Sequence, residues 1–158
     1  PSNPDTIYGL ATSGQQGFFV SNDAGQTWTK QPASGLEAVP FSLNVDPLNP
    51  ERVLATTQAG LYESQDAGKT WSLIPSTATA PIAGLALQAE GDQTTMLGYR
   101  ISSTDAGLYR SVDGGQSWGP WSDELEGTIL YMAAAPTNAQ VLYAVNENNV
   151  VFLSQDGG

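Results

Sequence analysis

Short apolar runs alternate with polar, turn-forming segments along the whole chain. Four of these runs carry a Gly or an Ala in one column: "TIYGLA" from Thr6, "RVLATT" from Arg52, "TMLGYR" from Thr95 and "QVLYAV" from Gln140. They are rich in β-branched and aromatic residues and are flanked by Gly, Asn, Asp and Pro, as β-strands are. No segment shows a sustained helical period. The pattern predicts an all-β protein.

A motif of the form S-x-D-x-G-x-[TS]-W recurs between these runs. It is complete in "SNDAGQTW", "SQDAGKTW" and "SVDGGQSW", and its first five positions recur in "SQDGG". The serines stand at positions 21, 64, 111 and 154, which gives intervals of 43, 47 and 43 residues. A fixed period of this length is typical of a repeat architecture.

Each repeat contains four short strands, here called A, B, C and D. Strand A is predicted from runs that begin at Phe41, Ile82 and Ile129, strand B from the runs quoted above, strand C just before the motif, and strand D from its Trp onward. Four-stranded units of 40–50 residues are the blades of a β-propeller. We therefore expect one partial propeller over residues 1–158, with approximate repeats 1–40, 41–80, 81–127 and 128–158.

The chemistry of the motif indicates a stabilised turn between strands C and D. Its Asp can accept backbone N–H bonds within its own loop, its Gly supplies a positive φ, and its Trp offers a large ring to bury between blades. The motif resembles the Asp box of the bacterial neuraminidase repeat, which lies at this turn. The residues expected to have this structural role are Ser21, Asp23, Gly25, Trp28, Ser64, Asp66, Gly68, Trp71, Ser111, Asp113, Gly115, Trp118, Ser154 and Asp156.

A catalytic or metal-binding carboxylate in each repeat is the alternative interpretation of these aspartates. A residue that recurs in every blade is distributed around the whole propeller ring. A catalytic centre, in contrast, needs groups that converge on one point. The structural interpretation is therefore favoured. We predict no metal, no cofactor and no catalytic residue among the motif positions.

Composition narrows the classes of partner. The net charge is -11 with only five Lys and Arg residues, which argues against nucleic acid and against anionic membrane surfaces. The absence of Cys and His excludes disulfides, thiol or imidazole catalysis and the usual zinc sites. No apolar run approaches the roughly 18 residues of a membrane span, so direct membrane insertion is not expected. The expected location is extracytoplasmic, periplasmic or secreted.

The first repeat lacks strand A, and the last lacks its Trp and strand D. Four incomplete blades do not close a ring of the usual size, which needs about 250–350 residues at this period. We expect the remaining blades to be supplied in cis by a larger propeller. The alternative is an oligomer in which several chains complete the ring by exchanging strands.

Candidate binding residues lie in the B–C and D–A connections, which share the face where propellers usually bind ligands, here called the top face. The connection "GPWSDELEGT" stands out because an aromatic side chain precedes three carboxylates, a combination that suits a sugar ring or a protein partner. The alternative is a purely structural role, in which the acidic loop is solvated and the aromatic ring packs on the blade. The residues expected to contact a ligand are Trp121, Asp123, Glu124, Glu126, Asp105, Arg100 and Glu37.

Resemblance to known families leaves two functional interpretations open, a binding module and a glycoside hydrolase segment. A sialidase site needs clustered arginines, but Arg52 and Arg110 are predicted at the bottom face and only Arg100 near the top. "NPERVLATTQAGLYESQDAGKTW" and "GLYRSVDGGQSW" are similar to blades of xyloglucanase-type glycoside hydrolases, and equally to the non-enzymatic propellers of the photosystem II assembly factor type and of sortilin. The favoured function is a non-catalytic scaffold or binding module for a protein or glycan. The alternative is a glycoside hydrolase segment, xyloglucanase- or sialidase-like, whose catalytic carboxylates lie partly outside this chain.

Overall fold

The computed structural model describes residues 4–11, 14, 17–122, 125–135 and 138–158. They form four antiparallel sheets, here called blades 1 to 4, each built from consecutive strands. Blade 1 contains β1 (Ile7–Ala11), β2 (Gly17–Ser21) and β3 (Thr29–Lys30). Blade 2 contains β4 (Pro40–Val45), β5 (Val53–Thr57), β6 (Gly60–Ser64) and β7 (Ser72–Leu73), followed by a single 3-10 turn over Pro75–Thr77.

The last two blades continue the pattern. Blade 3 contains β8 (Ile82–Glu90), β9 (Gln93–Arg100), β10 (Gly107–Ser111) and β11 (Gly119–Ser122). Blade 4 contains β12 (Ile129–Ala135), β13 (Asn138–Asn146) and β14 (Val151–Ser154). The predicted all-β fold of four-stranded antiparallel blades is confirmed. Within the described residues, blade 1 consists of strands B, C and D, and blade 4 of strands A, B and C.

Apolar side chains between neighbouring blades form the core. Phe18 and Val20 of blade 1 pack on Val53, Ala55 and Tyr62 of blade 2 together with the ring of Trp71. A second cluster joins blades 2 and 3, and two more join blades 3 and 4. Each of the four-stranded sheets is therefore covered on both faces, which explains why its B strand is buried at most of its positions.

The Asp boxes hold the C–D turns through a repeated set of hydrogen bonds. In the second box, Ser64 Oγ donates to Asp66 Oδ1 at 2.9 Å, and the Gly68 amide donates to Ser64 Oγ at 2.8 Å. Both the amide and the hydroxyl of Thr70 donate to the Asp66 carboxylate, at 2.8 and 2.6 Å, and the indole N–H of Trp71 donates to the Gly68 carbonyl at 3.0 Å. The first and third boxes repeat this arrangement.

These hydrogen bonds hold the aspartate side chains in their charged form. The pKa of Asp66 is lowered to about 2, chiefly by the hydroxyl and amide of Thr70. Thr27 lowers the pKa of Asp23 to about 2 in the same way, and Ser117 does so for Asp113. In the fourth box the bonds from Ser154 and from the Gly158 amide lower the pKa of Asp156. Each carboxylate is thus a hydrogen-bond acceptor for its own turn.

Burial of the box tryptophans is not uniform. Trp71 is only 6% exposed and Trp118 is half-buried, whereas Trp28 is 46% exposed, so burial of its ring between blades stays a prediction. Trp71 packs on blade 1, and Trp118 packs on a cluster that includes blade 2. Burial of each ring therefore depends on the blade that precedes its own. Within the described residues no sheet precedes blade 1.

A charged network joins blades 2 and 3 on the bottom face. The Arg52 guanidinium bridges Asp46, at 2.8 Å, and Glu63, at 2.5 Å, and Thr94 of blade 3 donates a hydrogen bond of 2.7 Å to Asp46. Burial opposes ionisation of Asp46, but the bonds from Thr94 and Arg52 hold its pKa below the usual value. Arg110 pairs with Glu90 at 2.7 Å. Two of the three arginines are therefore engaged in pairs far from the top face.

Among the described residues, no helix has the length and apolar character required to cross a membrane.

Candidate functional site: a top-face pocket between blades 3 and 4

A cavity of about 630 Å³ opens on the top face between blades 3 and 4. Strand β10 contributes Gly107, Leu108 and Tyr109, because this strand begins at the top face. The D–A connection of blade 3 and the B–C turn of blade 4 close the other sides. The remaining lining residues are Tyr99, Ala106, Pro120, Trp121, Ser122, Leu125, Gly127, Thr128 and Glu147. The wall thus combines aromatic rings with a few hydroxyls and a carboxylate.

Hydrogen bonds between the D–A connection and the B–C turn of blade 4 fix the rim of this pocket. The Glu147 amide donates to the Thr128 carbonyl at 2.9 Å, and the Asn146 side-chain amide donates to the Glu126 carbonyl at 3.0 Å. Gly127 has a φ of 81°, and a Cβ there would come within 3.0 Å of a carboxylate oxygen of Glu147. The positive φ favours a glycine here, and the absence of a Cβ lets the connection approach the Glu147 side chain closely.

Arg100 supports the aromatic side of the pocket from behind. Its guanidinium carbon lies 4.0 Å from the centroid of the Tyr109 ring, and its Nη1 contacts Asp105 at 3.0 Å. The Tyr109 hydroxyl donates to the Asp105 carbonyl at 3.1 Å. Hydrogen bonds from Ser102 and then Arg100 lower the pKa of Asp105. The arrangement holds Tyr109 in one position by a cation–π contact and a hydrogen bond.

Among the described residues, Arg100 Nε is the buried side-chain atom for which the structure shows no hydrogen-bond partner. It lies behind the Tyr109 ring rather than in the pocket lining. Buried hydrogen-bond donors usually have an acceptor, so this N–H group is an exception.

The structure brings together part of the predicted ligand site. Arg100 and Asp105 are in contact, and Trp121 lines the same pocket as their neighbour Tyr109. Glu126 is exposed, and only its backbone carbonyl is bonded at the rim. Asp123 and Glu124 lie outside the described residues. The role of these residues in binding a ligand stays a prediction.

Trp121 lies in a strand and not in the connection to which sequence reasoning assigned it. It belongs to β11, because strand D is four residues long in blade 3. Its half-buried ring packs with Leu108, Met132 and Phe152 between blades 3 and 4. It stands three positions after the box Trp, in the same column as Ile74 of blade 2. The alignment of Trp121 with an apolar residue of another blade is the sequence feature that could have indicated a packing role.

Glu37 lies on the top face but in a different pocket. It lines a cavity of about 390 Å³ between blades 1 and 2, with Leu10, Phe18, Leu36 and Val39 among its neighbours. It is exposed and remote from the pocket between blades 3 and 4. The predicted set is therefore split between two interfaces.

Sequence reasoning missed Tyr99, Tyr109, Thr128 and Glu147 as pocket residues. The sequence pattern placed Tyr109 only in strand C, just before the motif, and its exposure to the pocket depends on the shape of the neighbouring connection. Glu147 lies in the B–C turn of blade 4, and its position beside Gly127 depends on the register in which Ile129 pairs with Asn146. Within the described residues, no group of three or more Asp, Glu, His or Cys side chains is placed to hold a metal ion.

Comparison with known proteins decides the family. The model of the family described as Photosynthesis system II assembly factor YCF48 matches residues 4–154, almost the entire chain. The chain belongs to this family. No curated protein sequence matches it significantly.

Solved structures support the fold of this family member. An ancestral GH74 enzyme superposes with a TM-score of 0.69 at 21% identity over 100% of this chain and 22% of its own. The GH74 enzyme of Niastella koreensis gives a TM-score of 0.66 at 16% identity, over 100% of this chain and 27% of its own. YCF48 from Cyanidioschyzon merolae gives 0.53 at 21% identity, over 77% and 35%. The chain therefore spans about a quarter to a third of the length of these structures, and the likeness is one of fold.

Proposed function

We propose that this YCF48-family chain is part of a non-catalytic propeller that binds a segment of a protein partner in the top-face pocket between blades 3 and 4. The observation that carries the proposal is the lining of the pocket. Three aromatic rings, Tyr99, Tyr109 and Trp121, surround it, and Glu147 is the carboxylate among its described lining residues. Aromatic anchors with a small number of polar groups are typical of recognition sites.

Charge refines the class of partner. Glu147 lies at the pocket wall, the exposed Glu126 lies at its rim, and the chain carries a net charge of -11. A cationic side chain next to an apolar one would pair with Glu147 while the apolar group contacts Tyr109 and Trp121. Electrostatic attraction would also accelerate encounter with a basic segment. The proposed ligand is therefore a protein segment that carries an aromatic or aliphatic residue beside a Lys or Arg.

The proposal can be tested by selecting a peptide ligand without any assumption about its sequence. A random-peptide phage library is panned over the immobilised chain, and the recovered peptides are titrated by calorimetry. The proposal predicts enrichment of apolar residues next to Lys or Arg, and binding that weakens as salt is raised from low to physiological concentration. Enrichment of acidic peptides, or binding that is independent of salt, would contradict it.

A glycoside hydrolase segment is the second candidate. The aromatic pair Tyr109 and Trp121 favours it, because aromatic rings also stack on sugars. Hydrolysis requires two carboxyl groups about 5–10 Å apart across a cleft, and the described lining of this pocket supplies Glu147. Release of reducing ends from xyloglucan by the purified chain would favour this candidate. Binding of xyloglucan without release would favour a glycan-binding module.

An extracytoplasmic location remains part of the proposal. Cell fractionation of the source organism, with an antibody against this chain, would test it by the compartment in which the protein is recovered.

A further inference from the structure

Residues 31–36, here called segment 31–36, connect blade 1 to blade 2 and pair with the Asp box of blade 2. The Ser34 amide donates to the Lys69 carbonyl at 3.0 Å, and the Trp71 amide donates to the Ser34 carbonyl at 2.8 Å. Ala33, directly before this pairing, has a φ of 47°, in the left-handed region. That conformation is unfavourable for alanine, and a protein keeps it only where other contacts compensate. Segment 31–36 is therefore strained in the observed state.

The corresponding segment of blade 2 has a similar sequence but a different conformation. Each segment begins directly after strand D, so "QPAS" from Gln31 aligns with "IPST" from Ile74. In blade 2 this sequence forms the 3-10 turn Pro75–Thr77, with a proline at its first position. Proline suits that position because its fixed φ matches the turn. Pro32 provides the same starting residue in blade 1.

Thr77 fills the space at the top of strand C in blade 2. It is 1% exposed, and its hydroxyl accepts a hydrogen bond from the Leu61 amide at 2.8 Å. The same hydroxyl donates to the Ile74 carbonyl at 2.8 Å. A Cβ on Gly60 would meet the Thr77 hydroxyl oxygen at 2.9 Å. The Thr77 side chain therefore closes the space beside Gly60 and Leu61.

The equivalent place in blade 1 is the cavity of about 390 Å³ between blades 1 and 2. Gly17 and Phe18, the counterparts of Gly60 and Leu61, both line this cavity. Phe18 is 1% exposed, and its carbonyl accepts a hydrogen bond from the Gln31 amide at 2.8 Å. The backbone groups of Phe18 therefore point toward strand D, because successive residues of a strand direct these groups to opposite sides.

The Phe18 amide lacks the acceptor that the Leu61 amide has. Ser34, the counterpart of Thr77, is exposed in the observed state, and its hydroxyl does not reach Phe18. Among the described residues, no acceptor is placed at this amide. A buried amide without an acceptor costs free energy, so the cavity wall holds a donor that an incoming hydroxyl would satisfy.

From these observations we infer that segment 31–36 is a plug that opens and closes the cavity between blades 1 and 2. The observed state is the open one. In the closed state, residues 32–34 form a 3-10 turn like Pro75–Thr77, and the Ser34 side chain enters the cavity beside Gly17. Its hydroxyl then accepts from the Phe18 amide and donates to the Gln31 carbonyl, by the pattern of blade 2.

The two states are balanced by contacts of opposite effect. The open state keeps the hydrogen bonds to Lys69 and Trp71, but it leaves Ala33 strained and the Phe18 amide without an acceptor. The closed state relieves both defects and gives up the pairing with blade 2. An apolar ligand has access to the cavity in the open state only, so the segment controls that access. This inference concerns a different interface from the proposed top-face function and does not depend on it.

A hydroxyl present only in blade 2 accounts for the different states of the two segments. Ser76 donates a hydrogen bond to the Gly115 carbonyl of the next Asp box. Ala33 occupies the Ser76 position in blade 1 and cannot make the equivalent bond to Gly68. The closed state of segment 31–36 therefore lacks one of the contacts that hold the turn of blade 2.

Two variants shift the balance toward the closed state by different means. Gly35→Ala breaks the observed pairing, because a Cβ there would lie 2.2 Å from the Trp71 carbonyl oxygen at a φ of 86°. Ala33→Ser supplies the hydroxyl that the closed state needs to bond the Gly68 carbonyl. The first variant destabilises the open state, and the second stabilises the closed one.

The measurement is made by NMR on the complete chain. In both variants we expect a nuclear Overhauser contact between the Phe18 amide proton and the Ser34 β-protons, a pair that the open state holds apart. We also expect the Trp71 amide to exchange with solvent about tenfold faster than in the wild type, because its acceptor at Ser34 is released. Neither signal requires a ligand.

Ser34→Ala is the matched control, because the open state uses only the backbone of Ser34. Alone it should leave exchange of the Trp71 amide at the wild-type rate. Combined with Ala33→Ser it should return the Trp71 amide to near that rate, because the closed state has lost its acceptor. Gly91→Ala controls for the cost of a positive φ, since Gly91 has a φ of 61° and no atom within 4 Å of its virtual Cβ. It should change neither signal.

Thermal melting verifies that each variant is folded, and Ala33→Ser decides alone if Gly35→Ala does not fold. Absence of the contact between Phe18 and Ser34 in the folded Ala33→Ser chain would overturn the inference. Equal Trp71 exchange in Ala33→Ser and in the double variant would also overturn it, because the Ser34 hydroxyl would then have no part in closing the cavity.

Discussion

The Phe18 ring meets the indole of Trp71 edge-on, with ring centroids 5.4 Å apart and an interplanar angle of 82°. The two residues belong to consecutive blades, 53 positions apart in the sequence. Tyr8 also stacks on Phe18, with ring centroids 5.8 Å apart. The contact shows how the blades are held together: the second and third Asp boxes each anchor a ring that packs on the blade before it.

Truncation of that ring should be costly in only some blades. We expect Trp71→Ala to lower the free energy of unfolding by about 3–5 kcal/mol, because it leaves a cavity between two blades. Trp28→Ala is the matched control, since its ring is nearly half exposed, and its cost should be clearly smaller. Urea denaturation measures both. Equal costs for the two variants would contradict the directional packing.

Gly68 tests the close approach between a box and the preceding blade. A Cβ at this position would lie 1.9 Å from Phe18 Cε1, and its φ is 85°. Gly91 has a φ of 61° but no atom within 4 Å of its virtual Cβ. Both Gly→Ala variants carry the backbone cost of a positive φ, so Gly68→Ala should be destabilised by about 1–3 kcal/mol more, through overpacking. Equal midpoints of denaturation would refute this contact.

The fourth position of the Asp box carries backbone strain in two repeats. Ala24 and Ala67 have φ values of 56° and 58°, whereas the third box has Gly114 there with a φ of 75°. A glycine relieves the left-handed conformation but loses more entropy on folding. We expect Ala67→Gly to stabilise the chain by up to about 1 kcal/mol and Gly114→Ala to destabilise it. A destabilised Ala67→Gly variant would show that the strain is negligible.

The depressed pKa values of the box aspartates predict a specific acid sensitivity. The folded-state pKa of Asp23, Asp66 and Asp113 is about 2, below the usual unfolded value near 3.9. Their stabilising contribution is therefore complete above about pH 4 and is lost as the pH falls toward 2. Melting temperatures between pH 5 and pH 2 should decline less steeply for Asp66→Asn than for the wild type. Parallel declines would rule out this role for Asp66.

Much of the architecture was predictable because the repeat constrains it. The columns of serine, aspartate, glycine and tryptophan place every C–D turn, and the apolar columns place strands A, B and C. The exposure of Trp28 was not predictable from its own motif, because burial depends on which blade precedes the ring. The same column gives a buried Leu61 in blade 2 and an exposed Val151 in blade 4.

The candidate site was predictable only in part. Arg100 and Asp105 are close in sequence, and a short loop brings them together. Glu147 meets the connection at Gly127 because β12 and β13 pair within blade 4, with Ile129 opposite Asn146, and the sequence pattern does not fix that register. The hydrogen bond from Thr94 to Asp46 joins two blades, across 48 residues of sequence. Such a contact arises from packing between repeats rather than from the motif.

The binding site between blades 3 and 4 is tested most simply by the affinity of a selected top-face peptide for two variants that each remove one negative charge. Glu147→Gln neutralises the carboxylate at the pocket wall, whereas Asp92→Asn neutralises an exposed carboxylate in the β8–β9 turn on the opposite face. We expect about tenfold weaker binding to Glu147→Gln and wild-type affinity for Asp92→Asn. Equal affinities for the two variants would contradict a binding site between blades 3 and 4.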